Sequence, residues 1–209
     1  MKQEGITFIL SAPSGTGKTT TCHLLREKLP NLKFSVSHTT RPPRNGEVDG
    51  EDYFFISEDE FKKKIERGEF LEWARVHNHH YGTAMETVTR HRNNGDNLLL
   101  EMDVQGVESL RKMNFPGVYL FIVPPSLEEL SNRLKGRGTE TEEGIRKRIE
   151  VGKNEIRKYG LYDFVLTNFH SFKTANTICA IIEAENCRVK RYKPTSPDLE
   201  ELLNEKADL

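Results

Sequence analysis

Ten consecutive residues, Ser11-Ala12-Pro13-Ser14-Gly15-Thr16-Gly17-Lys18-Thr19-Thr20, follow an apolar run from Ile6 to Leu10 and lead into a helical pattern. In a strand, loop and helix of this kind the glycines let successive backbone N–H groups turn inward around an anion. The positive end of the following helix points at the same spot. Lys18 adds a full charge at the β- and γ-phosphates, and the Thr19 hydroxyl is placed to hold magnesium. The spacing fits G-x-x-x-x-G-K-[ST] except at the first position, where Ala12 stands for glycine. A residue before proline is pushed toward extended backbone, which alanine accepts, so no left-handed conformation is expected at Ala12. The ligand implied is a nucleoside triphosphate. A glycine-rich turn that merely precedes a lysine is the bland alternative, and the flanking strand and helix argue against it.

Such a loop does not name a second substrate, so other side chains must. Ser37-His38-Thr39-Thr40-Arg41-Pro42-Pro43-Arg44 carries two arginines three apart across a stiff Pro-Pro. A guanidinium grips a phosphate with two parallel bonds, and the prolines limit how far the pair can drift. A solvated basic loop is the bland alternative. Glu72 interrupts the apolar strand pattern Phe70-Leu71-Glu72-Trp73-Ala74, and a half-buried carboxylate needs donors. Guanine offers two, N1–H and the 2-amino group, whereas adenine presents an acceptor at N1; an unpaired acid would cost about 1–3 kcal/mol. A structural, partly exposed Glu is the competing explanation. Glu101 and Asp103, at the end of another apolar run, could orient a magnesium shell or a nucleotide amine. Asp103 to Gly106 also fits the D-x-x-G of GTP-switch proteins, but no N-K-x-D accompanies it. Arg133, Arg137 and Arg148 flank a glycine-rich break and a helix able to fold over a triphosphate. Phosphoryl transfer asks mainly for charge stabilisation and exclusion of water, which arginines on a lid supply. His77, His79 and His80 lack a Cys/His partner set for zinc and fit loop or strand-edge positions better.

Four apolar runs can serve as buried parallel strands: 6–10, 98–102, 118–123 and 164–166. Helical spacing follows them, with Cys22, Leu25 and Leu29 after the first and Leu127, Leu130 and Leu134 after the third. Alternating strands and helices imply a doubly wound α/β sheet that binds ligands at the carboxyl ends of its strands. From Ser37 to about Arg90 the texture changes to alternating Tyr53-Phe54-Phe55-Ile56, a helix over 58–67 and a strand over 70–76, as in an inserted subdomain. After Leu134, Lys135-Gly136-Arg137-Gly138 breaks the helix. Thr139-Glu140-Thr141-Glu142 then starts a long one striped by Ile145, Ile149 and Ile156. The tail after Arg188 is basic at first and acidic later, suiting a frayed helix or a contact between copies in a homo-oligomer.

The 209 residues suffice for one domain with insertions. A net charge of −1 and a pI near 6.7 give no global field for nucleic acid or an anionic membrane. Three cysteines, Cys22, Cys179 and Cys187, form no C-x-x-C and suit reduced thiols. No window approaches ~18 apolar residues and no leader pattern opens the chain, so a cytoplasmic protein is expected.

Taken together in their order, the loop from Ser11 to Thr20, Ser37-His38-Thr39-Thr40-Arg41-x-x-Arg44-x-Gly46-Glu47-Val48-Asp49-Gly50-x-Asp52-Tyr53, Glu72-Trp73, Tyr81-Gly82-Thr83, Asp103-x-Gln105-Gly106 and Gly136-Arg137-Gly138-Thr139-Glu140-Thr141 resemble the signatures of guanylate kinases. The likeness spans 5–185. It implies a P-loop NTPase-type doubly wound parallel sheet with a core (1–36, 91–128 and 160–190), an inserted GMP-binding subdomain (37–90) and a helical lid (129–159), followed by a tail (189–209). It also implies the reaction of ATP with GMP or dGMP in the presence of Mg2+. Carried over residue by residue, ATP would lie on Ala12 through Thr20 (Ala12, Pro13, Ser14, Gly15, Thr16, Gly17, Lys18, Thr19, Thr20) and Asn168, with Thr19 at the metal. Guanine would meet Ser37, Glu72, Thr83 and Asp103, and its phosphate Arg41, Arg44, Tyr53 and Tyr81. Lys18, Arg41, Arg133, Arg137 and Arg148 would serve the transferring group. The acceptor phosphate is already anionic near pH 7, so no general base is required. Where the family often has Asn-Asp-Asp near the adenine, this chain has Asn168-Phe169-His170. The rival is a guanylate kinase-like module that has lost catalysis and binds proteins. Such modules generally lack the lysine and hydroxyl present here as Lys18 and Thr19.

Overall fold

The computed structural model describes residues 3–76, 78–136, 141–192 and 194–204. From the amino terminus the chain runs through β1 (Thr7–Ser11), α1 (Lys18–Lys28) and a two-residue β2 (Lys33–Phe34). Then come β3 (His38–Thr39), β4 (Phe54–Phe55), α2 (Glu58–Glu66), β5 (Phe70–Val76), β6 (His79–Ala84) and α3 (Met85–Asn94). It continues with β7 (Leu98–Glu101), α4 (Val104–Lys112), β8 (Val118–Val123), α5 (Leu127–Lys135) and α6 (Glu142–Ile156). It closes with β9 (Phe164–Thr167), α7 (Ser171–Asn186) and α8 (Pro197–Asn204).

Two sheets result. The first is wholly parallel in the order β2-β7-β1-β8-β9, with Ile9 opposite Leu100 on one side and Tyr119 on the other. All five β1 residues are buried, as a central strand covered on both faces requires. Its alternation sorts the core. Phe8 and Leu10 pack with Leu25 of α1 and Ile178 of α7, while Ile9 packs on the other face with Val107 and Leu110 of α4. Each such fully buried aliphatic side chain contributes about 1.5–3 kcal/mol relative to an exposed one. The chain leaves β1 for the far edge, β2, and later returns across β1 from β7 to β8. The switch in direction therefore falls beside β1, where ligands of such sheets collect at the strands' carboxyl ends.

The second sheet, β4-β3-β6-β5, is built entirely from the segment where the sequence texture changes. Its longest pairing is the antiparallel β5–β6 ladder, which sets Trp73 opposite Gly82. Phe61 of α2 stacks on Phe70 with ring centroids 4.5 Å apart and is fully buried. The helix starts where Ser57 Oγ accepts from Glu60 N, at 3.2 Å, with three acids in its first turn.

Sequence and structure differ at short elements, on one helix and at the edge strand β9, expected to be buried, where Val165 is 46% exposed. The parallel sheet has five strands where four were expected, because β2 is only two residues long. Tyr53 to Ile56 contributes just Phe54–Phe55, and β3 and β6 were not anticipated as strands. The helix expected over 58–67 ends at Glu66, next to Gly68 at φ +66°. Leu130 and Leu134 are buried as the spacing predicts, but Leu127 in the first turn of α5 is 42% exposed. Ala12 is not among the described residues with positive φ, in line with its place before Pro13.

Candidate active site

Gly15 and Gly17 adopt φ of +89° and +100°, conformations that glycine alone reaches without strain, and they turn the loop after β1 into the start of α1. Gly17 caps α1 with no side-chain hydrogen bond, so the first amides of the helix stay open to an anion. Lys18 reaches across to Glu101 at the end of β7, Nζ to Oε2 3.8 Å, and Thr19 and Thr20 are exposed on the first turn. Ser14 is exposed at the loop's tip and accepts at Oγ from Arg148 Nη1 of α6, 2.8 Å away.

Asn168 and Arg133 brace this loop from behind. Asn168, 1% exposed, donates from Nδ2 to the Thr16 carbonyl (2.7 Å) and accepts at Oδ1 from Thr174 Oγ1 (2.9 Å). Arg133 donates to the carbonyls of Thr16 and Asn168, each at 3.0 Å, and from Nε to Glu129. A Cβ on Gly17 would lie 2.6 Å from Asn168 Nδ2, so loop and brace fit only with glycine there. Pro13 and Thr16 are buried, and Ala12 and Gly15 partly so. Arg137 lies outside the described residues.

The loop opens on a cleft of about 490 Å³ that runs from Ala12, Ser14 and Lys18 to the second sheet. Ser37, Arg44, Tyr53, Glu72, Tyr81 and Asp103 all line it. Arg41 is buried beside it, its guanidinium held by the Pro42 carbonyl and Glu47 Oε1, both at 2.8 Å, and set over the Tyr53 ring at 5.4 Å. The second oxygen of Glu47 accepts from Arg44 N at 2.7 Å, so one acid fixes both a guanidinium and the backbone of the next arginine. That bond to Arg41 also holds the Glu47 carboxyl below its ordinary range. The Tyr53 and Tyr81 rings meet edge to face 5.9 Å apart, and burial keeps the Tyr53 hydroxyl protonated as a donor.

At the far wall Glu72 is 8% exposed and accepts at Oε1 from Thr83 Oγ1 at 2.6 Å, a cross-strand pair in the β5–β6 ladder. Burial, opposed in part by the Thr83 bond and reinforced by the Asp103 charge, pushes its carboxyl up to about 7. Asp103 caps α4, accepting at Oδ1 from Gly106 N at 2.9 Å, and burial raises it too. Glu155 of α6 completes the acidic side; burial and the Asp103 charge lift it to about 7.

The sequence reading did not single out Glu155, Glu47 as a positioning acid, or the bracing by Thr174. Glu155 was discoverable: it lies seven residues after Arg148, two turns along one helix face, and both line the cleft. The contacts of Glu47 and Thr174 join segments whose approach no local pattern encodes. Three residues offer oxygens that suit a hard cation here, Thr19 by its hydroxyl and Glu101 and Asp103 by their carboxylates. Magnesium is commonly held by one or two protein oxygens together with substrate phosphates and water, and this donor set fits that habit.

A parallel sheet in this strand order, with a glycine-rich loop and an open helix start after its central strand, defines an α/β protein of the P-loop type. The chain belongs to the guanylate kinase family: the family model described as Guanylate kinase matches residues 4–185. The guanylate kinase of Caldanaerobacter subterraneus subsp. tengcongensis is 48% identical over 193 residues, covering 92% of this chain and 94% of the relative. That of Geobacter metallireducens is 45% identical over 195 residues, covering 93% and 96%. The crystal structure of guanylate kinase from Anaplasma phagocytophilum superposes with a TM-score of 0.77 at 33% identity, covering 98% of this chain and 96% of that one.

Proposed function

We propose that the chain performs the phosphotransfer of its family, ATP + GMP giving ADP + GDP, with dGMP as a second acceptor. The observation that carries this reading is the single cleft that joins an intact phosphate loop, Lys18 included, to a buried carboxylate held by Thr83. ATP phosphates would sit on the amides from Ala12 to Thr20 against Lys18, and the loop's shape would be kept by Asn168 and Arg133. Ser37, Glu72, Thr83 and Asp103 would receive guanine, and Arg41, Arg44, Tyr53 and Tyr81 its phosphate. The second sheet and its neighbours (37–90) would form the GMP-binding subdomain, and the α5–α6 unit (129–159) the lid, on a core of 1–36, 91–128 and 160–190. The lid arginines Arg137 and Arg148 would meet the transferring group.

When bound, Mg2+ would neutralise phosphate charge, with Thr19 and the neighbouring acids as its protein oxygens. The protein's own contribution is positioning: the acceptor phosphate attacks as it stands, and the cations hold two mutually repelling anions within reach. The reaction fits purine nucleotide recycling in the cytoplasm. Among the described residues no helix is long and apolar enough to cross a membrane. An inactive protein-binding module would have no evident use for Lys18 and Thr19.

The test is a coupled ADP-release assay with ATP, Mg2+ and a panel of GMP, dGMP, AMP, UMP and dTMP. Turnover with the two guanine nucleotides alone is expected. Glu72→Gln and Arg41→Met should each reduce GMP turnover sharply, by ten-fold or more, while circular dichroism is unchanged; wild-type kinetics in both variants would mean that the acceptor site lies elsewhere.

A further inference from the structure

We propose that Gly106 of α4 determines acceptor specificity by leaving room for the Glu72 carboxylate to lie flat against the helix. This rests on Glu72 being the guanine-binding acid. A Cβ built on Gly106 would stand 2.8 Å from Glu72 Oε2 and 3.3 Å from its Cδ, well inside van der Waals contact. The third neighbour, Met102 Sδ at 3.2 Å, belongs to an adaptable side chain that yields easily. Glu72 can yield only by turning its carboxylate. It is 8% exposed, and its other oxygen is fixed by Thr83 at 2.6 Å. A Cβ at position 106 would therefore rotate or retract the carboxylate, leaving the backbone undisturbed.

Nothing in the backbone asks for glycine at this position. Gly106 is the third residue of α4, and its φ is not in the left-handed region. Its N–H caps onto Asp103 Oδ1, a bond that any residue but proline would keep. Glycine inside a helix costs about 0.5–1 kcal/mol relative to alanine. The helix thus carries a local penalty where Glu72 of the second sheet packs against it. A guanine ring needs both carboxylate oxygens in its plane to accept from N1–H and the 2-amino group. A tilted carboxylate satisfies only one donor.

The experiment compares wild type, Gly106→Ala, Glu72→Ala and the double variant for kcat and KM with GMP, IMP and ATP, together with thermal melting. IMP lacks the 2-amino group and so asks for one bond fewer. For Gly106→Ala the expected result is a KM for GMP raised about ten-fold or more, a GMP-over-IMP preference reduced by a similar factor, an unchanged KM for ATP, and a melting temperature equal to or above wild type. In the Glu72→Ala background the same substitution should change nothing further. Unaltered GMP kinetics in Gly106→Ala, or a lowered melting temperature with GMP and IMP impaired equally, overturns the proposal. If Glu72→Ala itself keeps full GMP-over-IMP discrimination, it is the guanine-binding assignment of Glu72 that fails.

Discussion

Under the proposed function, Glu72 is the selective group. As a carboxylate interrupting an apolar strand it was conspicuous in the sequence, and the structure supplies what the strand pattern could not: Thr83 on one oxygen and Gly106 under the other. Desolvation raises its carboxyl to about 7, yet accepting two guanine donors requires the ionised form. The value of kcat/KM for GMP should therefore rise with pH through about 7. In Glu72→Gln that component should vanish, while any component from the GMP phosphate itself, with a second pKa near ~6, persists. Stability moves the opposite way. A carboxyl whose folded pKa exceeds its unfolded value binds its proton more tightly when folded. Its contribution is intact below about 4.5 and is lost as pH rises to 7, where ionised Glu72 costs the fold about 3 kcal/mol. Glu72→Gln should melt higher than wild type at pH 8 and converge with it below about pH 5. Equal melting temperatures at pH 8 would mean that the buried acid is not strained.

At the level of elements, the loop before α1 is only as rigid as what stands behind it. Its residues were plain from the G-K-T spacing, whereas Asn168 and Arg133, expected at the nucleotide, both donate to the Thr16 carbonyl. Removing the Asn168 amide leaves that carbonyl with one fewer donor and the buried Thr174 hydroxyl without its acceptor. Asn168→Ala is expected to lose about 2 kcal/mol in urea unfolding and to raise the KM for ATP more than that for GMP. An increase confined to GMP would contradict a role for Asn168 at the loop. Strands longer than three residues with continuous apolar character, β1, β7 and β8, were legible because burial on both faces leaves no polar alternation. The two-residue strands β2, β3 and β4 exist only because a neighbour offers them a ladder, and nothing in two residues signals that.

Over the whole molecule, the candidate cleft lies between two sheets that share few sequence neighbours, and the family match stops at residue 185. Beyond it α8 exposes Leu202 and Leu203, at 61% and 57%, and none of its residues described for burial, 197–203, is buried. A chain ending at Tyr192 should retain wild-type kcat and KM for both substrates and a melting temperature within about 2 °C, since a ΔΔG near 0.5 kcal/mol shifts a domain of this size by no more than that. A loss of activity on truncation would assign the tail a role in the cleft or in an assembly that completes it.

The sequence by itself determined the glycine-rich loop, the strand-and-helix alternation, the segment of changed texture and the identities of the acids and arginines. Those features depend on local backbone preference, on periodicity and on side-chain chemistry, all of which are written along the chain. Tertiary structure alone decided which of them face one another. It turned Arg41 onto Glu47, set Asn168 and Arg133 beneath the loop, and brought Glu155 of α6 to the cleft. It also pressed Glu72 against Gly106, because desolvation, hydrogen-bond partners and close packing arise only when distant segments exclude water together.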